Sequence, residues 1–197
     1  MDRSVALKVL APRLMKRELD FVQRFVEEAR AAGRLSHPNI VGVHDVGETT
    51  ITTGSGAEAS TEQIHYFSME FVEGDTVKDE LARVGALRLP QVEHIMLAMV
   101  EALVYAESQG VVHRDIKPEN IMVSPNGEVK LADLGLAQQV GSEHPDADGK
   151  GRKVMGTPMY MSPEQARGLA VSYASDQYSL GATLYHMLTG QAPFSGV

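Results

Sequence analysis

His113-Arg114-Asp115-Ile116-Lys117-Pro118-Glu119-Asn120 places a base, a cation and an amide within eight residues. Asp115 offers a carboxylate that can accept a hydroxyl proton. Lys117 offers a positive charge that can meet a phosphoryl oxygen. Asn120 offers an amide oxygen, a hard ligand suited to Mg²⁺. Pro118 stiffens the stretch and keeps Lys117 before it out of the helical region. The next acid in a comparable setting is Asp133, in Leu131-Ala132-Asp133-Leu134-Gly135: a strand end, a carboxylate, then a glycine that permits a sharp turn. A hydroxyl-facing base, a cation and a pair of oxygen ligands are the parts phosphoryl transfer needs, because that chemistry rests on positioning and charge neutralisation.

The His-Arg-Asp-x-Lys-Pro-x-Asn pattern resembles the catalytic loop of eukaryotic-type protein kinases, and most of all that of the bacterial serine/threonine branch. The resemblance implies an α+β, bilobal protein-kinase-like fold, here truncated. A small β-rich N-lobe with one helix would cover residues 1–72, and a larger, mainly helical C-lobe residues 73–197. It implies ATP as phosphate donor with Mg²⁺, or Mn²⁺ in its place. Asp115 would orient a Ser or Thr hydroxyl and accept its proton, Lys117 would stabilise the transferring group, and Asn120 and Asp133 would hold the metal. Protein substrates bearing Ser or Thr are the implied partners, with pairing of two copies for autophosphorylation.

Upstream of the loop, Pro90 to about Ser108 reads as a long helix, with Val92, Ile95, Met96, Met99, Val100 and Leu103 on its apolar face. A shorter helix spans about Asp75 to Val84. Ile64 to Gly74 reads as a strand running out into a linker. By resemblance, Met69 is the gatekeeper beside the adenine, and the Glu70 carbonyl and Val72 amide bond the adenine edge. From Glu48 to about Gln63 the chain is rich in Gly, Ser, Thr and Glu and reads as a long hairpin loop. Ser36 to Asn39 is a turn into a strand from Ile40 to Val46; His37 and His44 lack further ligands at suitable spacing and read as structural or solvated.

About Glu18 to Gly33 reads as an amphipathic helix, with Phe21, Val22, Phe25, Val26 and Ala29 at helical spacing. Val5 to Leu10 reads as a buried strand carrying one lysine, Lys8. That charge either snorkels to solvent from an edge or is held by a carboxylate. Glu27 and Glu28 compete as partner; at roughly 100° per residue Glu28 lies on the apolar face with Phe21, which favours Glu28. The family pattern also picks Glu28, makes Lys8 the ligand of the α- and β-phosphates, and puts Ala6 over the adenine.

Downstream, Ile121 to Val123 and Val129 to Leu131 read as short strands joined by a type I turn at Ser124-Pro125-Asn126-Gly127. By resemblance Met122 is the floor under the adenine. Between Leu136 and about Met155, Ser142 is the only hydroxyl before Thr157; the resemblance implies activation by phosphorylation in this stretch, which makes Ser142 the candidate site and Arg114 the residue that would capture its charge. Gly156 to Glu164 resembles the substrate shelf of Ser/Thr kinases, with Ser162 where Ala is usual. Thr157 would hydrogen-bond Asp115 and Lys117, a combination that favours Ser/Thr over Tyr acceptors. Glu164 is expected to be an unpaired, solvated acid. Ser175-Asp176 is expected to open the last helix, with Ser175 as cap and Tyr178, Leu180, Leu184, Met187 and Leu188 on the buried side; the resemblance implies that Asp176 bonds the backbone of the catalytic loop.

The chain has 197 residues, enough to bury a good core. Its formal net charge of -8 argues against a nucleic-acid surface. The absence of cysteine excludes disulfides and thiolate metal sites and fits the cytoplasm. No apolar run reaches membrane-spanning length, so no membrane contact is expected within this segment, although a membrane-anchored parent is compatible with it. No glycine-rich loop precedes Lys8, so the segment reads as a fragment of a longer kinase, the alternative being a kinase-like binding module without turnover.

Overall fold

The computed structural model describes residues 4–10, 19–53, 60–133, 138–139 and 157–194; the side chain of Glu28 lies outside that description. The chain divides into two compact units, Met1–Leu35 with Gly42–Phe71, and Ser36–Val41 with Val72–Val197. Among the described residues no helix is long and apolar enough to cross a membrane.

The first unit holds β1 (Val5–Val9), α1 (Leu19–Ala32), β2 (Val43–Thr53) and β3 (Ser60–Glu70), with the strands antiparallel in the order β1-β3-β2. Its core joins Leu10, Phe25, Ala29 and Phe67, with Val22, Val43, Val46 and Met69 packed against it. The Phe25 and Phe67 rings sit 5.1 Å apart in a tilted pair. The helix starts and stops within a residue of the expected span, because its apolar positions recur at the helical period against the sheet.

The strands depart from the sequence reading in two places. β1 is not a buried strand: among the described residues it pairs only with β3, and Val5, Leu7 and Val9 are 39%, 60% and 48% exposed. Strand alternation leaves Ala6 and Lys8 on the half-buried inward side, continued by buried Leu10. The stretch read as a long hairpin loop is paired strand at its described residues, while residues 54–59 lie outside them. Thr49 pairs with Ile64, Thr50 with Gln63, Thr52 with Thr61 and Thr53 with Ser60. Threonine and isoleucine are strand formers, so a run that looks polar by composition is extended by conformation. The beginning of β2 also shifts, from Ile40 to Val43. Ile40 instead forms a parallel bridge with Leu131, and the Leu131 and Val41 N–H groups donate to Asn39 O and Leu131 O at 2.8 and 2.9 Å. These bonds place Ser36–Val41 in the second unit.

The second unit contains β4 (Asp75–Thr76), α2 (Val77–Val84), α3 (Leu89–Ser108), β5 (Val111–Val112), a 3₁₀ turn (Pro118–Asn120), β6 (Ile121–Val123), β7 (Val129–Leu131), β8 (Gln138–Gln139), α4 (Pro163–Ala166) and α5 (Tyr173–Thr189). β4, β6 and β7 form one small sheet, and β5 pairs with β8. Thr76 caps α2 and is capped in return by Asp79. α3 buries Val92, Ile95 and Met99 as expected, but its face continues through Ala98, Ala102 and Ala106, while Val100 is 47% exposed. α5 packs against α3.

α5 is capped by Ser172 rather than Ser175, so Ser175 sits one turn inside the helix. Its buried side carries Ser179, Leu180, Thr183 and Met187, whereas Tyr178 and Leu188 are exposed. The Ser179 and Thr183 hydroxyls donate to the carbonyls of Ser175 and Ser179, at 3.0 and 2.9 Å, so polar residues can occupy a helix core without stranding a donor. A count of apolar positions misses that substitution.

Candidate active site

β5 delivers the chain to His113, which is fully buried. The His113 and Arg114 N–H groups both donate to the Asp176 carboxylate, each at 2.7 Å. Arg114 has φ 72, a left-handed conformation that costs a residue with a Cβ about 1–2 kcal/mol and persists only where its surroundings impose it. The Asp115 N–H donates to His113 Nδ1 at 3.3 Å, so the ring proton lies on Nε2, which donates to Ala132 O at 3.3 Å. Burial holds the His113 pKa below the ordinary histidine value, keeping the ring neutral as this pattern requires. Burial also pushes the Asp176 carboxyl up, against the pull of His113, Arg114 and the two N–H donors.

Lys117 is extended, at φ -163 and ψ 164, immediately before the Pro118 turn. Its ammonium reaches Asp115 Oδ2 at 2.6 Å and Thr157 Oγ1 at 2.8 Å, and the Thr157 hydroxyl donates to Asp115 Oδ1 at 3.3 Å. Asp115 and Lys117 side chains are 14% and 18% exposed, so this pair is only partly screened by water. Asn120 Nδ2 donates to Asp115 O at 2.7 Å and to Asp115 Oδ2 at 3.2 Å. With its nitrogen so engaged, the Asn120 amide keeps Oδ1 for another partner. The Ala132 N–H donates to Asn120 O at 2.8 Å, which ties the approach to Asp133 to the same loop; Asp133 is exposed and has φ 60. An amide oxygen and a carboxylate are hard donors that fit Mg²⁺, an ion that takes few protein ligands and completes its shell with water and phosphate oxygens. Among the described residues no group of three or more His, Cys, Asp or Glu side chains forms a self-sufficient metal cage.

Beyond Thr157, Tyr160 is buried and its hydroxyl lies 2.7 Å from His186 Nδ1, with the two rings stacked at 6.0 Å. Burial raises the phenol to about 12 and lowers the imidazole, so Tyr160 donates and His186 accepts. Ser162 caps α4: its Oγ accepts the Gln165 N–H, and Gln165 Oε1 accepts the Ser162 N–H. Glu164, expected to lack its arginine partner, is not simply solvated: its partner is a hydroxyl rather than a counter-charge. The Ser175 hydroxyl donates to Glu164 Oε1 and holds its carboxyl below the usual carboxylate range. Ser175 can do so because it stands inside α5 rather than at its cap.

In the first unit Lys8 is half-buried opposite Phe67, with its Nζ 5.7 Å from the Phe67 ring centroid. Its charge thus lies along an aromatic face instead of running straight to solvent. Ala6 pairs with Met69, which packs on the core, and Val5 pairs with Glu70. The Glu70 N–H donates to Gly42 O at 2.8 Å, and Glu70 Oε2 accepts the Gly42 N–H at 3.4 Å. Val72 and Met122 are half-buried in the second unit, Met122 opposite Thr76 and Lys130. The side chain of Glu28 and all of Ser142 and Gly156 fall outside the described residues.

The family model described as protein kinase domain matches residues 1–197. The chain belongs to the protein kinase domain family. It is 41% identical, over its whole length, to the probable serine/threonine-protein kinase PknB of Bifidobacterium longum, 40% identical to the serine/threonine-protein kinase PknB of Mycobacterium leprae, and 38% identical to the serine/threonine-protein kinase PrkC of Bacillus subtilis. The kinase domain segment spans 28–30% of the length of these relatives.

In this kinase domain the structure gathers Asp115, Lys117, Asn120 and Thr157 in one hydrogen-bonded cluster and puts Asp176 behind it. The sequence reading assigned no role to His113 or Gln165, and took Ser175 only as a helix cap. His113 and Ser175 reveal theirs only through partners distant in the chain. Gln165 left a local trace, since Ser162-Pro163-Glu164-Gln165 has capping-box spacing.

Proposed function

We propose that the protein of which this domain is part is a serine/threonine protein kinase, transferring the terminal phosphate of ATP to Ser or Thr hydroxyls of proteins. The observation that carries the reading is the Asp115–Lys117–Thr157 cluster, with contacts of 2.6, 2.8 and 3.3 Å. Asp115 accepts the proton of the acceptor hydroxyl as its oxygen bonds to the terminal phosphorus and the bond to ADP breaks. Lys117, already held against Asp115, supplies positive charge to the group in transfer. Thr157 and the Asn120 amide orient the Asp115 carboxylate before substrate arrives. Lys117 together with Thr157 favours aliphatic hydroxyls over tyrosine.

Asn120 Oδ1 and the Asp133 carboxylate would hold a divalent ion, Mg²⁺ in preference and Mn²⁺ in its place, which when bound neutralises phosphate charge. By family likeness the nucleotide falls to Lys8 for its phosphates, with Glu28 positioning Lys8, to Ala6, Met69 and Met122 at the adenine, and to the Glu70 carbonyl and Val72 amide at its edge. Arg114 is assigned the capture of a phosphate at Ser142. Two copies would meet for autophosphorylation.

Phosphate transfer from ATP to a protein acceptor tests the reading. Asp115→Asn should lower kcat by about 10²–10⁴-fold while ATP still binds. Undiminished turnover in that variant, or ATP binding with no transfer by the unsubstituted intact protein, would overturn it, the latter in favour of a kinase-like binding module.

A further inference from the structure

The Arg114–Asp115 peptide is gripped from a side that the family reading leaves without a role. The Arg114 carbonyl accepts the side-chain amide of Gln165, Nε2 to O, at 2.7 Å. Gln165 is buried, and its amide cannot turn over without cost. Oε1 takes the Ser162 N–H at 3.1 Å, so a flipped amide would set two donors against each other at Ser162 and two acceptors at Arg114. Ser162 is itself fully buried, and its Oγ accepts the Gln165 N–H at 3.4 Å.

Around this peptide the hydrogen bonding is complete. Asp176 takes the His113 and Arg114 N–H groups, His113 Nδ1 takes the Asp115 N–H, and Gln165 supplies the donor to the Arg114 carbonyl. Arg114 stands at φ 72, so the direction in which Asp115 leaves the backbone depends on outside restraint. Asp176 restrains it from α5, and Gln165 restrains it from α4, the helix in which the stretch resembling a substrate shelf ends. Asp176 can set the N–H side but offers nothing to the carbonyl side.

We propose that Gln165 is a positioning residue for phosphoryl transfer, locking the Arg114–Asp115 peptide to the end of the substrate shelf so that the aim of Asp115 depends on the shelf being folded. It acts through Asp115 and touches no reacting atom. The proposal rests on the kinase reading above.

The test compares the intact protein with Gln165→Met, which keeps length and volume but donates nothing, and Gln165→Glu. Three quantities are read: kcat with KM for ATP, hydrogen exchange of the Arg114 and Asp115 amides, and the melting temperature. For Gln165→Met we expect kcat to fall about 10–100-fold with KM for ATP within about twofold, and amide exchange at Arg114 and Asp115 to accelerate about tenfold or more. For Gln165→Glu we expect kcat relative to the unsubstituted protein to rise as pH falls, because a protonated carboxyl can again donate to the Arg114 carbonyl while a carboxylate repels it. A Gln165→Met protein with unchanged kcat and unchanged exchange overturns the proposal. Should that variant fail to fold, the Gln165→Glu profile decides: a rise with acidity supports the lock and a flat profile refutes it. If the unsubstituted protein transfers no phosphate, the kinase reading fails on its own, and exchange alone then judges whether Gln165 holds the peptide.

Discussion

His113 shows how much of this site depends on one side chain being uncharged. Its neutral ring accepts from the Asp115 N–H and donates to Ala132 O; a protonated ring could not accept. Burial lowers its pKa and outweighs the Asp176, Asp115 and Asp133 carboxylates that would raise it. The folded protein therefore binds fewer protons at this site than the unfolded chain. Stability tied to His113 is complete above the ordinary value of 6.5 and is lost as pH falls below it toward the folded value. The melting temperature should thus fall on acidification from about pH 7.5 to about 5.5, and the fall should be shallower in His113→Phe. An equally steep fall in that variant would assign the effect to other groups. The eight-residue motif announced Asp115, Lys117 and Asn120 because their chemistry is local, but it was silent on the tautomer of His113, which the Asp115 N–H sets together with Ala132 O, nineteen residues away.

At the scale of elements, short strands and helix ends are placed by close backbone approach. Gly74, just before β4, has φ 137, and a Cβ there would overlap the Val123 carbonyl oxygen of β6. Gly74→Ala should therefore destabilise the protein by about 2–4 kcal/mol, read as a lowered urea midpoint with an unchanged m-value. A midpoint within experimental error of the parent would show that β4 can move aside. The helices were legible in outline, since α1 carries strong helical periodicity and α3 is a long, largely apolar run opened by Pro90. Their faces were less so: α3 buries a row of alanines and α5 a pair of self-satisfied hydroxyl residues, and neither group scores as core by hydrophobicity alone. The length of the paired strands β2 and β3 was hidden for the opposite reason, because threonine is polar in composition and extended in conformation.

Turnover is a property of the whole molecule, and the proposed activity requires a divalent ion. Chelation should abolish transfer, and added Mg²⁺ should restore it in the parent protein. Asp133→Asn should be about 10²-fold or more less active at any Mg²⁺ concentration, with an unchanged melting temperature. Full recovery of that variant at ordinary Mg²⁺ would remove Asp133 from the metal site. The two compact units divide between Phe71 and Val72, and Ser36–Val41 groups with the second. Its membership rests on bonds to Val129 and Leu131, roughly ninety residues downstream, which no local pattern records.

The sequence by itself determined the family, the reactive residue types and the main helices, because a compact motif and periodic burial are encoded within short stretches of chain. Only the tertiary structure decided that Glu164 is held by Ser175, that Asp176 and Gln165 grip the Arg114–Asp115 backbone, and that the outer residues of β1 face solvent. Those outcomes depend on which distant donor meets which acceptor and on how many neighbours a strand has, and both are set by packing between elements rather than by the order of residues within them.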